Sequence, residues 1–390
     1  MFKELNNFIA GSLRSKKYFD VPWIFGAQVY IYNSLFGTRN GVFKIKSLAD
    51  LLPETKILEG YKYRSKTQNN IEVTVPALNH YVIEDAVINS RSSAIIKANM
   101  IYYESINHNE RFNEGFVKYH SPKYALVDLG NIEFIDEGFF LVGNGSYNWY
   151  HWMIEILPKM MYFKEGQTRV ILVDESVRTI STMNESLRLF TKHIDVNIIY
   201  LDRSKAYKVK KLYFINEVNK LMYNALDRTL NILPLYYYRQ ESLKMLRERF
   251  LQNSSNKKRT SGKIYLERKN THRIAKNTAS LLEFLQQREV SSVDLTPLSI
   301  PEQIAVFNNA SMVIGTTGAA WTNILFCQRN TTCIVFMPLN FKAYQFYAEL
   351  AELLDIKMNY LFYENGSEDH AKSDFVIDLE ELQNFSILYE

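Results

Sequence analysis

The chain has 390 residues, too many for one ordinary hydrophobic core, so two domains are expected. Apolar residues make up 47% of it, with 26 Tyr and 24 Phe, a composition that excludes a disordered chain. A formal charge of +4 is too small to argue for a nucleic-acid partner, and two cysteines, Cys327 and Cys333, without metal-ligand spacing exclude a disulfide framework and point to buried thiols in a reducing compartment.

Residues 1 to about 110 read as irregular. The N-terminus has no basic region followed by a sustained apolar core, and no segment offers about 18 uncharged apolar residues, so a cytoplasmic protein is expected. Phe19 to Phe36, aromatic and flanked by Arg14, Lys16 and Lys17, reads first as core and second as a segment lying on a membrane surface. That second reading keeps peripheral association with the inner face of the cell membrane open. The basic runs at Lys208, Lys210, Lys211 and at Lys257, Lys258, Arg259 read as solvated faces or loops.

From Tyr124 short strand patterns alternate with helical ones. Strands are expected at Ala125 to Leu129, Phe139 to Val142, Arg169 to Val173, Val196 to Leu201 and Lys211 to Ile215, with helices from Trp149 to Met161, Ser176 to Lys192 and Tyr236 to Phe250. Leu251 to Gly262 is polar and rich in breakers, which divides the chain into residues 1–250 and 251–390. A second alternating series follows, with strands at Lys263 to Glu267, Val290 to Leu295, Ser311 to Gly315, Thr332 to Met337, Met358 to Phe362 and Phe375 to Ile377. Its helices are Asn277 to Arg288, Pro301 to Ala310, Ala319 to Phe326, Ala343 to Leu354 and Leu379 to Phe385. Alternation of this kind makes an α/β fold, two domains with a cleft between them.

Three stretches carry chemistry. In the first, Asn148 caps a helix that sets His151 and Glu155 one turn apart, with positions 151, 154, 155 and 158 on one face and Met153, Ile156, Leu157, Met160 and Met161 on the buried side. The helix start favours the neutral imidazole that a general base requires; a plain surface pair fits the spacing equally well. No second histidine stands one turn away, which excludes a HExxH-type zinc site.

In the second, Lys263 to Glu267 runs into a basic loop where Arg268 can grip a phosphate with two prongs and Arg273 can reinforce it; a solvent-exposed arginine is the plain alternative for each. In the third, Ser311 to Asn323 joins a buried strand to a helix through Gly315, Thr316, Thr317, Gly318 and Ala319. Ligands of parallel α/β sheets bind at such strand ends, and backbone N–H groups there suit phosphate. It is neither a Walker loop nor a GxGxxG fingerprint, and a tight structural turn fits as well.

Taken in order, Asn148-x-x-His151-Trp152-x-x-Glu155-x-Leu157-Pro158, then Tyr265-x-x-Arg268-Lys269 with Arg273 and Asn277, then Glu302-Gln303-Ile304 leading to Gly315-x-Thr-Gly318-Ala319-x-x-Thr322-Asn323-x-x-Phe326, resemble glycosyltransferase family 61. Many members carry His where this chain has Thr317, and Glu where it has Thr278. The resemblance implies a GT-B architecture, two Rossmann-like domains facing across a cleft, with an N-terminal acceptor-side domain and a C-terminal domain that binds a nucleotide sugar. It implies inverting transfer without a metal or other cofactor, to a glycan or lipid-linked saccharide, as in bacterial capsular polysaccharide biosynthesis. On that basis His151 or Glu155 is the catalytic base, and Arg268, Arg273, Gly315, Thr316, Thr317, Gly318, Ala319 and Asn323 hold the donor phosphates. A catalytically degenerate partner subunit that binds nucleotide or glycan is the alternative.

Overall fold

The computed structural model describes residues 40–68, 70–103, 116–120, 123–221, 236–252, 262–268, 274–339, 345–364 and 375–385; Phe19 to Phe36, the basic run at 257–259 and Arg273 lie outside them. The chain divides into two compact units, Met1–Tyr61 with Thr74–Asn231, and Lys62–Val73 with Ile232–Glu390. The division thus falls earlier than residue 250. The helix Gln240–Leu251 belongs to the second unit, where Phe250 meets Phe326 edge-on at 5.3 Å and Arg247 donates to the Cys327 carbonyl at 2.8 Å.

Eleven strands of the first unit form one mixed sheet. At one side Asn197–Leu201, Val170–Asp174, Asn131–Phe140 and Lys205–Ile215 lie in that order, each neighbouring pair parallel. The first three are joined in chain order by the helical segments 149–162 and 176–191, which makes them a 3-2-1 half of a doubly wound sheet. Ile180, extended at φ −94° and ψ 107°, splits the second helical segment into Ser176–Thr179 and Ser181–Thr191.

Beyond Lys205–Ile215 the sheet changes character. Leu78–Ile88 pairs with that strand antiparallel, and Ile95–Lys97, Met100–Tyr103, Asn40–Ser47, Tyr124–Asp128 and Val117–His120 follow, while Thr55–Leu58 adds to Leu78–Ile88. The expectation of an irregular N-terminal stretch is therefore corrected: residues 40–103 form seven strands, five in this sheet, while Tyr61–Ser65 and Ile71–Val75 pair separately. The burial alternation breaks inside Leu78–Ile88 at Asp85, which has φ 54°, while the pairing keeps its register, Glu84 with Lys211 and Ala86 with Val209. The doubly wound part of this unit is one flank of a larger mixed sheet. Ile83, Phe140, Leu172, Leu212 and Phe214 centre one buried cluster of this unit.

In the second unit five parallel strands run in the order Val290–Val293, Gly262–Leu266, Ala310–Thr316, Thr332–Pro338, Lys357–Tyr363. In chain order this is 2-1-3-4-5, so the winding reverses between Gly262–Leu266 and Ala310–Thr316. Their sequence signal was clear because such strands are covered on both faces; Thr332–Pro338 is buried at every position. Phe375 to Ile377 is not a strand, and Phe375 makes one isolated bridge to Ala275. Both cysteines are free and buried, and burial pushes the Cys327 thiol up to about 12.

Residues 62–73 are tied to this unit by the carboxylate of Glu349 and by an ion pair of Lys66 with Glu352 at 3.5 Å. Glu349, 2% exposed on the helix Gln345–Leu353, accepts from Tyr63, from Ser65 at 2.9 Å, from Thr67 at 3.3 Å and from Gln68 at 2.6 Å. Among the described residues no helix is long and apolar enough to cross a membrane.

Candidate active site

The strand Asn131–Phe140 ends in a loop whose glycines set the approach of the next helix. A Cβ on Gly143 would lie 2.9 Å from Ile156, so a larger residue would push the helix off the sheet. Ser146 Oγ donates to the Gly143 carbonyl at 2.8 Å, and Asn148 accepts from the Tyr150 N–H at 2.9 Å as the expected N-cap. His151 thereby follows the carboxyl end of the first strand of the doubly wound half, where parallel sheets place their ligands.

The helix itself is irregular. One α turn, Trp149–His151, passes into a π segment, Trp152–Ile156, and then a 3-10 segment, Leu157–Tyr162. Pro158 explains much of this. Lacking an N–H, it cannot bond the Ile154 carbonyl, which instead accepts from Asn219 Nδ2 at 2.7 Å. The expected division into a chemical and a buried face is corrected, since every residue from Trp152 to Met160 is buried. Trp152, fully enclosed, donates to Ser186 at 2.8 Å and locks the segment down.

Within this segment Glu155 is 7% exposed, and both of its oxygens are engaged. One meets His151 Nδ1 and the other accepts the Leu221 N–H. Burial raises the proton affinity of the Glu155 carboxyl above its ordinary value; the charge and bond of His151 oppose this, and Glu217 adds to it. The imidazole and carboxyl therefore compete for one proton. With Nδ1–H turned to the carboxylate, the basic atom of a neutral ring is Nε2.

Asn216 to Leu221 were not expected here. They follow the strand Lys205–Ile215 directly, and they supply Asn219 to Ile154, the Leu221 N–H to Glu155, and Glu217 beside it, with Lys220 3.5 Å from Glu217. A signal existed: Asn216-Glu217-Val-Asn219-Lys220 is a polar run at a strand's carboxyl end.

The second unit brings two of the other stretches together. Leu266 pairs with Gly315, so Arg268 and the turn after Thr316 leave neighbouring strands at the point where the winding reverses. Their contact is close: a Cβ on Gly318 would lie 1.7 Å from Arg268 Nη2, and only glycine lets the guanidinium rest against that backbone. The turn is held from several sides. Thr317 N–H bonds Phe336 O at 2.9 Å, Trp321 Nε1 bonds Thr316 O at 3.0 Å, and Tyr347 Oη donates to Gly318 O at 3.1 Å. Tyr347 had no sequence signal.

Ala319 opens the helix Ala319–Phe326, which is 3-10 in form; its first bond runs from Trp321 N–H to Gly318 O, leaving the N–H groups of Gly318, Ala319 and Ala320 upstream of the pattern. Two of the candidates sit elsewhere. A Cβ on Gly315 would meet Leu266 Cβ at 3.0 Å, so this glycine serves strand packing, and Asn323, 1% exposed, donates to Gln303 Oε1 at 2.8 Å. Asn277, at the N-cap position of its helix, clamps Ile377 instead, through 2.7 and 3.0 Å bonds. Among the described residues no three His, Cys, Asp or Glu side chains gather as a metal site.

Residues 149–335 match the family model described as Glycosyltransferase 61. The matched segment begins on the helix that carries His151 and ends within Thr332–Pro338, so it takes in Arg268 and Gly318 as well. No curated protein matches the chain.

Proposed function

Through residues 149–335 the chain belongs to glycosyltransferase family 61, and on that premise we propose that it moves a sugar from a nucleotide-sugar donor to a hydroxyl of a glycan acceptor, inverting the anomeric carbon. Membership implies glycosyltransferase activity; the finer statement rests on the site. The observation that carries it is the His151–Glu155 pair, a histidine held by a buried carboxylate at the carboxyl end of a parallel strand.

In this reading His151 Nε2 takes the proton of the acceptor hydroxyl while that oxygen forms its bond to the anomeric carbon. The bond from that carbon to the diphosphate oxygen breaks, and its electron pair leaves with the nucleoside diphosphate. One in-line displacement inverts the centre. Glu155 keeps Nδ1 protonated and stabilises the imidazolium, as a positioning residue. Arg268 and the N–H groups of Gly318 to Ala320 meet the charge that grows on the leaving group, with Thr316 and Thr317 beside them and Arg273 assigned the same role, and no metal is required of the step. Gly315 and Asn323 act as supports of that turn.

The proposal includes a GT-B arrangement, with the donor on the C-terminal unit, and a cytoplasmic bacterial enzyme of capsular or other surface polysaccharide synthesis, working on a glycan or lipid-linked acceptor. The test is a labelled-donor assay on His151→Ala. Transfer is expected to fall by about 10²–10⁴-fold with donor binding unchanged; turnover at the parent rate would sink the assignment.

A further inference from the structure

Two charged side chains beside the His151–Glu155 pair take no part in the bond changes of the transfer step. Glu217 and Lys220 lie on the segment that follows Lys205–Ile215, and that segment is clamped along its length. Asn216 accepts from the Asn79 N–H at 2.7 Å and donates to the Ala77 carbonyl at 3.0 Å, Asn219 donates to the Ile154 carbonyl at 2.7 Å, and the Leu221 N–H meets Glu155. Glu217 and Lys220 stand between these clamps, so their backbone is fixed against the helical segment 149–162.

Both are largely out of water, with side chains 13% and 10% exposed, and the Lys220 ammonium lies 3.5 Å from a Glu217 oxygen. Burying such a pair costs hydration that a surface pair would keep, and what it supplies here is a field: the Glu217 charge reaches Glu155. Glu217 and Lys159 also line one void of about 20 Å³, room for about one water, so little solvent lies between them to screen their charges.

Among the described residues, the other groups around the pair come from three elements. The helical segment supplies Lys159, 4% exposed and bonded to Val142 O at 3.1 Å, and Met100–Tyr103 brings the Tyr103 phenol to the void. Leu78–Ile88 supplies His80 opposite Ile215; burial, and then Lys164, holds its proton affinity below the ordinary value, so it is uncharged near neutrality. Two carboxylates and two ammonium groups thus stand around the one proton that His151 and Glu155 share.

We propose that Glu217 is a positioning residue of the transfer reaction: paired with Lys220, it holds a fixed negative charge against the His151–Glu155 pair and so sets the pH at which His151 is free to take the acceptor's proton. The proposal rests on the transfer reading for the word acceptor, and on the charged groups alone for the field. The test is an NMR titration of the full chain labelled with 13Cε1-histidine, the His151 signal being assigned by its loss in His151→Gln.

Glu217→Gln keeps the shape and removes the charge. The midpoint of the pair's titration is expected to move down by about one pH unit, because an imidazolium loses a nearby anion. Lys220→Gln leaves the Glu217 charge unopposed and is expected to move the midpoint up, and the acid limb of the transfer pH–rate profile should follow each variant. Loosened packing would move both variants the same way. An unmoved midpoint in either folded variant, a shift of both in one direction, or a rate profile that stays put while the midpoints move overturns the proposal; if one variant does not fold, the other decides by its sign. Opposite midpoint shifts in a chain that transfers no sugar keep the Glu217 field and remove the transferase reading, and transfer with unmoved midpoints does the reverse.

Discussion

Glu155 lies 7% exposed between an imidazole and one backbone N–H, whereas Glu349, 2% exposed, accepts from three hydroxyls and a side-chain amide. Both satisfy the rule that a buried carboxylate must be hydrogen-bonded. The donors around Glu349 keep their protons through the neutral range. Tyr236 beside it behaves alike, since burial and then the Glu349 charge push its phenol up. Glu155 instead faces an imidazole, which can take up or release a proton, and burial makes its own proton harder to lose. Burial alone does not mark a site; a titratable partner does.

The largest break in this comparison comes from Glu155→Gln. Its amide oxygen would stay with the Leu221 N–H, turning the NH2 group toward His151 Nδ1 and forcing the ring proton onto Nε2. Transfer is expected to drop by about 10²–10⁴-fold with little change in unfolding temperature; preserved transfer would mean that the pair is only structural. Glu349→Ala should do the reverse. Leaving its buried donors without an acceptor is expected to cost ~3–5 kcal/mol in denaturant unfolding, with turnover per folded molecule retained.

A pH series sharpens the same contrast. Because the folded state holds the Glu155 proton above the ordinary value of 4.5, its contribution to stability is full below that pH and is lost as pH rises through the folded pKa. Thermal unfolding of Glu155→Gln should therefore gain on the parent from acid toward neutral pH. A constant difference across the series would remove the raised proton affinity from the account. The smallest effect is expected from Tyr347→Phe, which deletes the bond to Gly318 O and should cost ~1 kcal/mol, read as a several-fold rise in donor KM.

Where the physics is local, the sequence was legible. The Asn148 cap, the His151–Glu155 spacing and the short apolar strands of the second unit are patterns within a few residues, and the structure reproduces them. Longer-range features escaped. Gly315 reads as a ligand-facing glycine until Leu266 is seen across from it, and Asn323 as a phosphate contact until Gln303 is. The strands before residue 104 were hidden because one of the longest, Leu78–Ile88, loses its in–out alternation at Asp85, where φ is 54°.

By itself the amino-acid order determined which helix carries the histidine and carboxylate, and which turn carries Gly318. Capping, periodicity and spacing depend on neighbours along the chain. Tertiary structure decided what those residues touch: the Leu221 N–H that meets one Glu155 oxygen, the Asn219 amide that replaces the bond Pro158 cannot make, and the guanidinium of Arg268 against Gly318. Each joins groups 50 or more positions apart along the sequence, and a hydrogen bond or a steric contact is fixed by distance in space, which only the folded chain supplies.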